Sequence, residues 1–210
     1  MPIEASQSPS LLIFGAGGHG RVVADALQQA HADWALVASD RNDQLCRGEL
    51  LPGIPLAALS SLESQGGALH VAIGDNRARE NESLLLGLRQ LVSVIHPRAS
   101  VSPHARVGEG CFVAAQAVIA PGVVLARSVI VNHCAVVDHD CKVGAFTHIA
   151  PGAVLGGGAH VGSRVLIGSG AVVLPGRLIC DDAVIGSGAV VHHDIQQAGT
   201  YVGVPARSIS

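Results

Sequence analysis

The chain is poor in aromatic residues: three Phe, one Tyr and one Trp among 210 residues. Such scarcity suits a narrow interior packed by Val, Ile and Ala, which has little room for rings. It has no block of Lys or Arg and a formal net charge of −3, which excludes long-range attraction to nucleic acid or to an anionic membrane. It has no apolar run of transmembrane length either, because Gln116, Pro121 and Gly122 interrupt the stretch from Cys111 to Ala126 well short of about 20 residues. Met1 to Ser10 carries Glu4 and no basic residue before the apolar Leu11 to Phe14. That is wrong for a secretory signal, so a cytoplasmic location is expected. The five cysteines form no CxxC pair and no closely spaced framework, and read as small buried thiols.

What the chain does have is a repeat. Every sixth residue from Ile95 to Val191 is aliphatic. Four places after each lies a second register, from Ala99 to Ala189, which is small throughout except at Arg177. A period of six fits neither a helix nor an alternating strand and is a signature of a parallel β-helix. Three hexads close one triangular coil. The large aliphatic fills the interior and the small residue fits near a corner, and coils stack at about 4.8 Å. Between five and six coils are predicted. Ala120-Pro121-Gly122, Ala150-Pro151-Gly152, Gly156-Gly157-Gly158 and Leu174-Pro175-Gly176 are the corners that composition identifies, since Gly tolerates positive φ and Pro fixes φ.

The residues before Ile95 have a different texture, which divides the chain into 1–94 and 95–210. Leu11 to Phe14 reads as a buried strand, Gly15-Ala16-Gly17-Gly18-His19-Gly20 as a loop, and Arg21 to Ala30 as a helix. Further strands are predicted at Ala35 to Ala38 and Leu69 to Ile73. This is a small Rossmann-like βαβ unit. Gly15, Gly17 and Gly20 satisfy GxGxxG, and Asp40 lies twenty residues on, where a dinucleotide fold places its ribose-binding acid. The segment is too short for a complete dinucleotide domain. NAD, the diphosphate of a nucleotide sugar and a purely structural turn all remain open at this point, because glycine amides at a helix N-terminus suit any diphosphate. Gly17, Gly18, His19, Asp40, Arg41, Gly74 and Asn76 are the candidate acceptor-binding residues, with Asn76 expected to face the same ligand as His19 and Asp40.

Within the hexads, Asp138-His139-Asp140 places an imidazole between two carboxylates, away from the interior positions. An exposed neutral His accepts a proton near neutral pH, and a neighbouring carboxylate raises its basicity. His139 is the candidate general base and Asp140 its partner.

The G-A-G-G-H-G start, the V-A-I-G-D-N-R segment ending the third strand, the I-H-P junction at Ile95 to Pro97, the hexads and the terminal Gly203-Val204-Pro205-Ala206 together resemble the sialic-acid O-acetyltransferase family. This family of hexapeptide-repeat enzymes includes N-acetyltransferases acting on UDP-4-amino-4,6-dideoxy sugars and on GDP-perosamine. The resemblance implies a mainly β protein with a small α/β part and a left-handed β-helix, assembling as a homotrimer with sites between subunits. It implies acetyl-CoA as donor, with His148, Gly157, Ser169 and Ser187 in contact with it. The acceptor it implies is the 4-amino group of a nucleotide-linked sugar, a UDP sugar in preference to GDP-perosamine or to a sialic-acid hydroxyl. No metal is expected. A metal-dependent hexapeptide protein of carbonic-anhydrase type and a non-catalytic nucleotide-sugar-binding scaffold are the readings from other classes.

Overall fold

A computed structural model describes residues 10–62, 67–87 and 90–209; residues 1–9, on which the targeting argument rested, lie outside them. The first part of the chain runs β1 (Ser10–Phe14), α1 (Gly18–Ala30), β2 (Ala35–Ser39), β3 (Glu49–Leu51), β4 (Ile54–Pro55), β5 (Ala68–Val71), α2 (Asn76–Leu85) and β6 (Gln90–Leu91). Four of these strands make a parallel sheet in the order β2-β1-β5-β6. Leu11, Leu12, Ile13 and Phe14 of β1 are all buried, as a central strand covered on both faces requires. Helix α1 begins three residues earlier than predicted, so His19 lies in its first turn. The close strand-to-helix approach requires Gly20, since a Cβ there would run into the carbonyl of Gly15. Strand β5 stops at Val71 rather than Ile73. One more ladder bond follows, from Ala72 N–H to Phe14 O at 2.7 Å, and Asp75 then caps α2 by accepting from Ala78 N–H at 2.8 Å.

From Val94 onward each hexad is a two-residue strand and a turn, and residues eighteen apart pair in parallel, as Ile130 does with His148 and His148 with Leu166. The three faces of the prism are sheets of eight, six and five strands. Face I carries Phe112–Val113, Ile130–Val131 and His148–Ile149, face II carries Val136–Val137 and Val154–Leu155, and face III carries Lys142–Val143 and His160–Val161. Face I exceeds the coil count expected from the repeat because the chain, after leaving the hexads at residues 192–199, returns as Thr200–Val202 beside Val184–Ile185. The aliphatic and small registers fill the interior as one continuous cluster, with Cys111 and Cys141 fully buried in the small register. Each buried Val, Leu or Ile side chain contributes on the order of 2 kcal/mol.

Every corner from residue 110 to residue 188 turns through a residue with positive φ. Half of these are glycines; the others are Gln116, Ser128, Cys134, Asp140, Phe146, Arg164 and Asp182, with φ between 53° and 61°. Glycine-based reading of the sequence finds only the first set.

The α/β part packs on face I and on the corner between faces III and I. Val23, Ala24 and Leu27 share one core with Val94, Phe112, Ala114 and Ile130. Arg79 of α2, only 1% exposed, reaches across this seam. Its guanidinium donates to the carbonyls of Ser128 (3.0 Å) and Phe146 (2.6 Å) in the β-helix, and to Ile73, Gly74 and Asn76 on its own side. No carboxylate pairs with it among the described residues, and burial lowers its pKa to about 10.

Candidate active site

His139 and Asp140 stand on the corner between faces II and III, above Pro121-Gly122 and below Gly157-Gly158. Asp140 adopts φ +58°, tolerable for a short polar residue, and this turns its carboxylate toward the preceding ring. His139 Nδ1 lies 2.9 Å from Asp140 Oδ2. The carboxylate is an obligate acceptor, so Nδ1 carries the proton and Nε2 is left as the basic nitrogen. The backbone N–H of His139 donates to Asp138 Oδ1 at 2.7 Å, which fixes the corner from the other side. The His139 side chain is 62% exposed. Its pKa is raised above the ordinary 6.5, first by the Asp140 hydrogen bond and then by the charge of Asp138.

The ring lies flat over the next coil at Gly157. A methyl group there would meet His139 Cε1 at 2.7 Å and Cδ2 at 3.0 Å, with Nε2 closer still. Only hydrogen at Gly157 leaves room for the imidazole. The equivalent corner amides at His133, His139 and Ser163 donate to side-chain oxygens. That of Gly157 has no acceptor among the described residues. A base with a free nitrogen and an unspent N–H over the same few ångströms is the arrangement acyl transfer to an amine requires.

A second group lies on the opposite side of the prism. Gly17 and Gly18 are exposed, and a Cβ at either would touch nothing within 4 Å; no packing requires glycine there, and the first amides of α1 stay open. Asp40 holds this loop by accepting from Ala16 N–H (2.8 Å) and Asn42 N–H (3.0 Å), which is turn chemistry. Arg41 is paired with Glu82. His19 does not join Asp40. It turns inward against Phe112, ring centroids 5.3 Å apart, and toward His148 at 6.3 Å. Its Nε2 is buried with no hydrogen-bond partner among the described residues, and burial, with the nearby His70 and His148, lowers its pKa to about 3.

Asn76 departs from expectation. Its Nδ2 donates to Arg164 O (3.1 Å) and Val165 O (3.0 Å), and its Oδ1 accepts from Arg79. The amide is spent on joining α2 to the β-helix, because α2 starts there and carries the side chain toward the prism rather than toward Asp40. Gly74 is at the same seam, its carbonyl 3.2 Å from His148 Nδ1. His148 therefore donates from Nδ1 and accepts at Nε2 from Asn132 Nδ2, 3.1 Å away; burial lowers its pKa to about 4. Ser169 and Ser187 are exposed on the corner between faces I and II, stacked one coil apart. Of the residues predicted for one site, a single chain thus brings together His139, Asp140 and Gly157, and separately His19, His148 and Gly74.

Arg79 and Asn132 were not identified from sequence. Arg79 sits in a polar helix segment that reads as a solvated face, and Asn132 occupies an ordinary outward hexad position. Among the described residues no group of three His, Cys, Asp or Glu side chains converges as a metal site, and no helix is long and apolar enough to cross a membrane.

Residues 10–83 match the PglD N-terminal domain family and residues 90–182 the GMPPB C-terminal domain family. GDP-perosamine N-acetyltransferase of Escherichia coli O157:H7 is 30% identical over 155 residues, 69% of each chain. The acetyltransferase domain of PglB from Neisseria gonorrhoeae FA1090 superposes with a TM-score of 0.89 at 36% identity, covering 96% of this chain and 100% of that one. PerB from Caulobacter crescentus, solved with CoA and GDP-perosamine, does so with a TM-score of 0.88 at 37% identity over 98% and 99%. With a glycine-loop α/β part, an unbroken hexad prism and relatives of this similarity over nearly its whole length, the chain belongs to the hexapeptide-repeat sugar N-acetyltransferases.

Proposed function

We propose that the protein transfers the acetyl group of acetyl-CoA to the amino group of a nucleotide-linked sugar, with His139 as general base. The observation that carries this reading is the His139 ring, held by Asp140 and lying against Gly157, whose N–H has no acceptor among the described residues. The sugar ammonium first gives one proton to solvent, and His139 Nε2 takes a second from the resulting amine as its nitrogen attacks the thioester carbonyl carbon. The N–C bond forms, the carbonyl oxygen becomes an oxyanion, and the Gly157 N–H donates to it. Collapse expels the CoA sulfur, which takes up the proton from His139. The amide and CoA leave, and the base is restored.

A homotrimer is part of the same reading. Face II presents a ladder of outward, half-buried valines, Val118, Val136, Val154, Val172 and Val190, and a continuous apolar sheet face of this kind marks an interaction surface. Its two edges are the His139 corner and the Ser169–Ser187 corner. A homotrimer joined along face II would set the His139 corner of one copy against the α/β part and serine corner of the next, so that one site draws on both groups. The exposed Gly17–Gly18 amides suit the acceptor's diphosphate. A cytoplasmic location is part of the same proposal.

The nucleotide is the finer point. The sequence reading favours UDP, while relatives named for their acceptor act on GDP-perosamine. A thiol-release assay with acetyl-CoA tests this, using UDP- and GDP-linked 4-amino-4,6-dideoxy sugars beside free sialic acid. Release of one thiol per amine consumed is the expected result. Release with none of the amino sugars, or with sialic acid alone, would remove the assignment.

A further inference from the structure

Arg79 is a buried cation that the chemistry at His139 does not use. Its N–H groups are spread over the carbonyls of Ser128, Phe146, Ile73, Gly74 and Asp75 and the Oδ1 of Asn76. One of these contacts leads to the acceptor side of the site. The Gly74 carbonyl accepts from Arg79 Nη1 at 3.1 Å and from His148 Nδ1 at 3.2 Å, so both of its lone pairs are taken. Guanidinium and imidazole are two hydrogen bonds apart, joined by a single oxygen.

The far side of the ring is equally determined. Asn132 Oδ1 accepts from His133 N–H at 2.9 Å, which leaves Asn132 Nδ2 to face His148 Nε2 at 3.1 Å. A neutral ring with its proton on Nδ1 satisfies both neighbours. A protonated ring would set an N–H against the Asn132 amide and a second positive charge close to Arg79. The other titratable groups of this seam are His19 on α1, His70 on β5, His133 beside Asn132, and Asp75, which caps α2. Burial disfavours the cationic forms of His148, His19 and His70, and the charge of Arg79 acts on all three in the same sense. A cationic imidazole on the acceptor side would repel a sugar ammonium as it approached. Arg79 itself is set behind the Gly74 carbonyl, 1% exposed.

We propose that Arg79 is a positioning residue for acetyl transfer: through the Gly74 carbonyl it holds the His148 ring in one orientation, uncharged and with its proton on Nδ1. This rests on the reading that one site draws on His139 of one copy and on the His148 side of the next.

The test is NMR of the full chain with histidine isotopically labelled in the ring nitrogens, His148 being assigned with His148→Gln. In the wild type His148 should stay the neutral Nδ1–H tautomer from about pH 8 to about pH 5.5. Arg79→Gln keeps a donor and removes the charge; it should raise the His148 midpoint by about one pH unit. Its kcat/KM for the amino sugar should fall about tenfold, by more near pH 6 than near pH 8. Arg79→Lys keeps the charge without the fork and should return the midpoint toward its wild-type place. A wild-type His148 that titrates in this range or carries its proton on Nε2 overturns the proposal, and that measurement needs no variant to fold. A midpoint unmoved in Arg79→Gln, with activity lost equally at both pH values, overturns it too. A His148 that behaves as stated in a protein releasing no thiol with any amino sugar would leave the hold on the ring standing and remove the acetyl-transfer reading instead.

Discussion

Replacing Gly157 by alanine should disable the enzyme while leaving the fold intact. The added methyl would lie 2.7 Å from His139 Cε1 and 3.0 Å from Cδ2, against an ordinary contact of about 3.5 to 4.0 Å. The ring must therefore retreat by roughly 1 Å. It can do so cheaply: His139 is 62% exposed and Gly157 does not have the positive φ that would penalise alanine. A surface change of this kind alters stability by about 0.5 kcal/mol or less. Misplacing a base by about 1 Å costs on the order of 10²-fold in rate. Gly158→Ala supplies the control, since its Cβ would meet nothing while its φ is +70°. That variant should lose about 1 kcal/mol of stability and keep its turnover. Steady-state thiol release and thermal melts on both proteins give the comparison. A Gly157→Ala enzyme that folds and retains most of its turnover would refute the placement of His139 at the reacting atoms.

The remaining expectations concern pH. His139 acts as a base only when neutral, and its pKa lies above 6.5, so kcat/KM should rise with pH with a midpoint above that value. Asp140→Asn removes the main cause of the shift and should move the limb to lower pH; a limb that stays in place would show that Asp140 does not tune the imidazole. His70, fully buried with Nδ1 on Val92 O and a pKa of about 4, is neutral in the folded protein and titrates near 6.5 when unfolded. The unfolded chain binds the extra proton between those values, so stability is complete above pH 6.5 and falls as pH drops toward 4. On the order of 3 kcal/mol is at stake for this group. Denaturant melts at pH 7 and pH 4.5 should show the loss, and His70→Asn should reduce it; a wild type equally stable at both would contradict the neutral assignment.

The period of six made the prism legible because each hexad solves the same packing problem with the same two residue classes. The pairing of His139 with Asp140 was legible too, since both lie in one outward turn. What stayed hidden depends on contacts far apart in sequence. Asn76 and Arg79 carry no local signal of their work, because their acceptors are carbonyls of residues 128, 146, 164 and 165, and a carbonyl is the same at every position. His19 read as a loop residue until α1 was seen to begin before it, which turns the ring toward Phe112.

The corners with positive φ have a consequence for how such a protein changes over time. A side chain at one of these positions is held about 1 to 2 kcal/mol above a glycine in the same place, so its presence calls for a reason, and five of the seven make a side-chain contact that supplies one. Gln116 receives Cys134 Sγ–H and Arg164 grips Asp182, in both cases one coil away. Asp140 holds His139, whereas Ser128 and Phe146 present only backbone carbonyls to Arg79, as a glycine would. A drift of any of these corners to glycine would make the solenoid sturdier and more anonymous. The alternation of glycine and side chain along the three edges thus marks where a contact stands in place of ease of turning, and on the reading proposed above Asp140 is the point on it where that contact serves the chemistry.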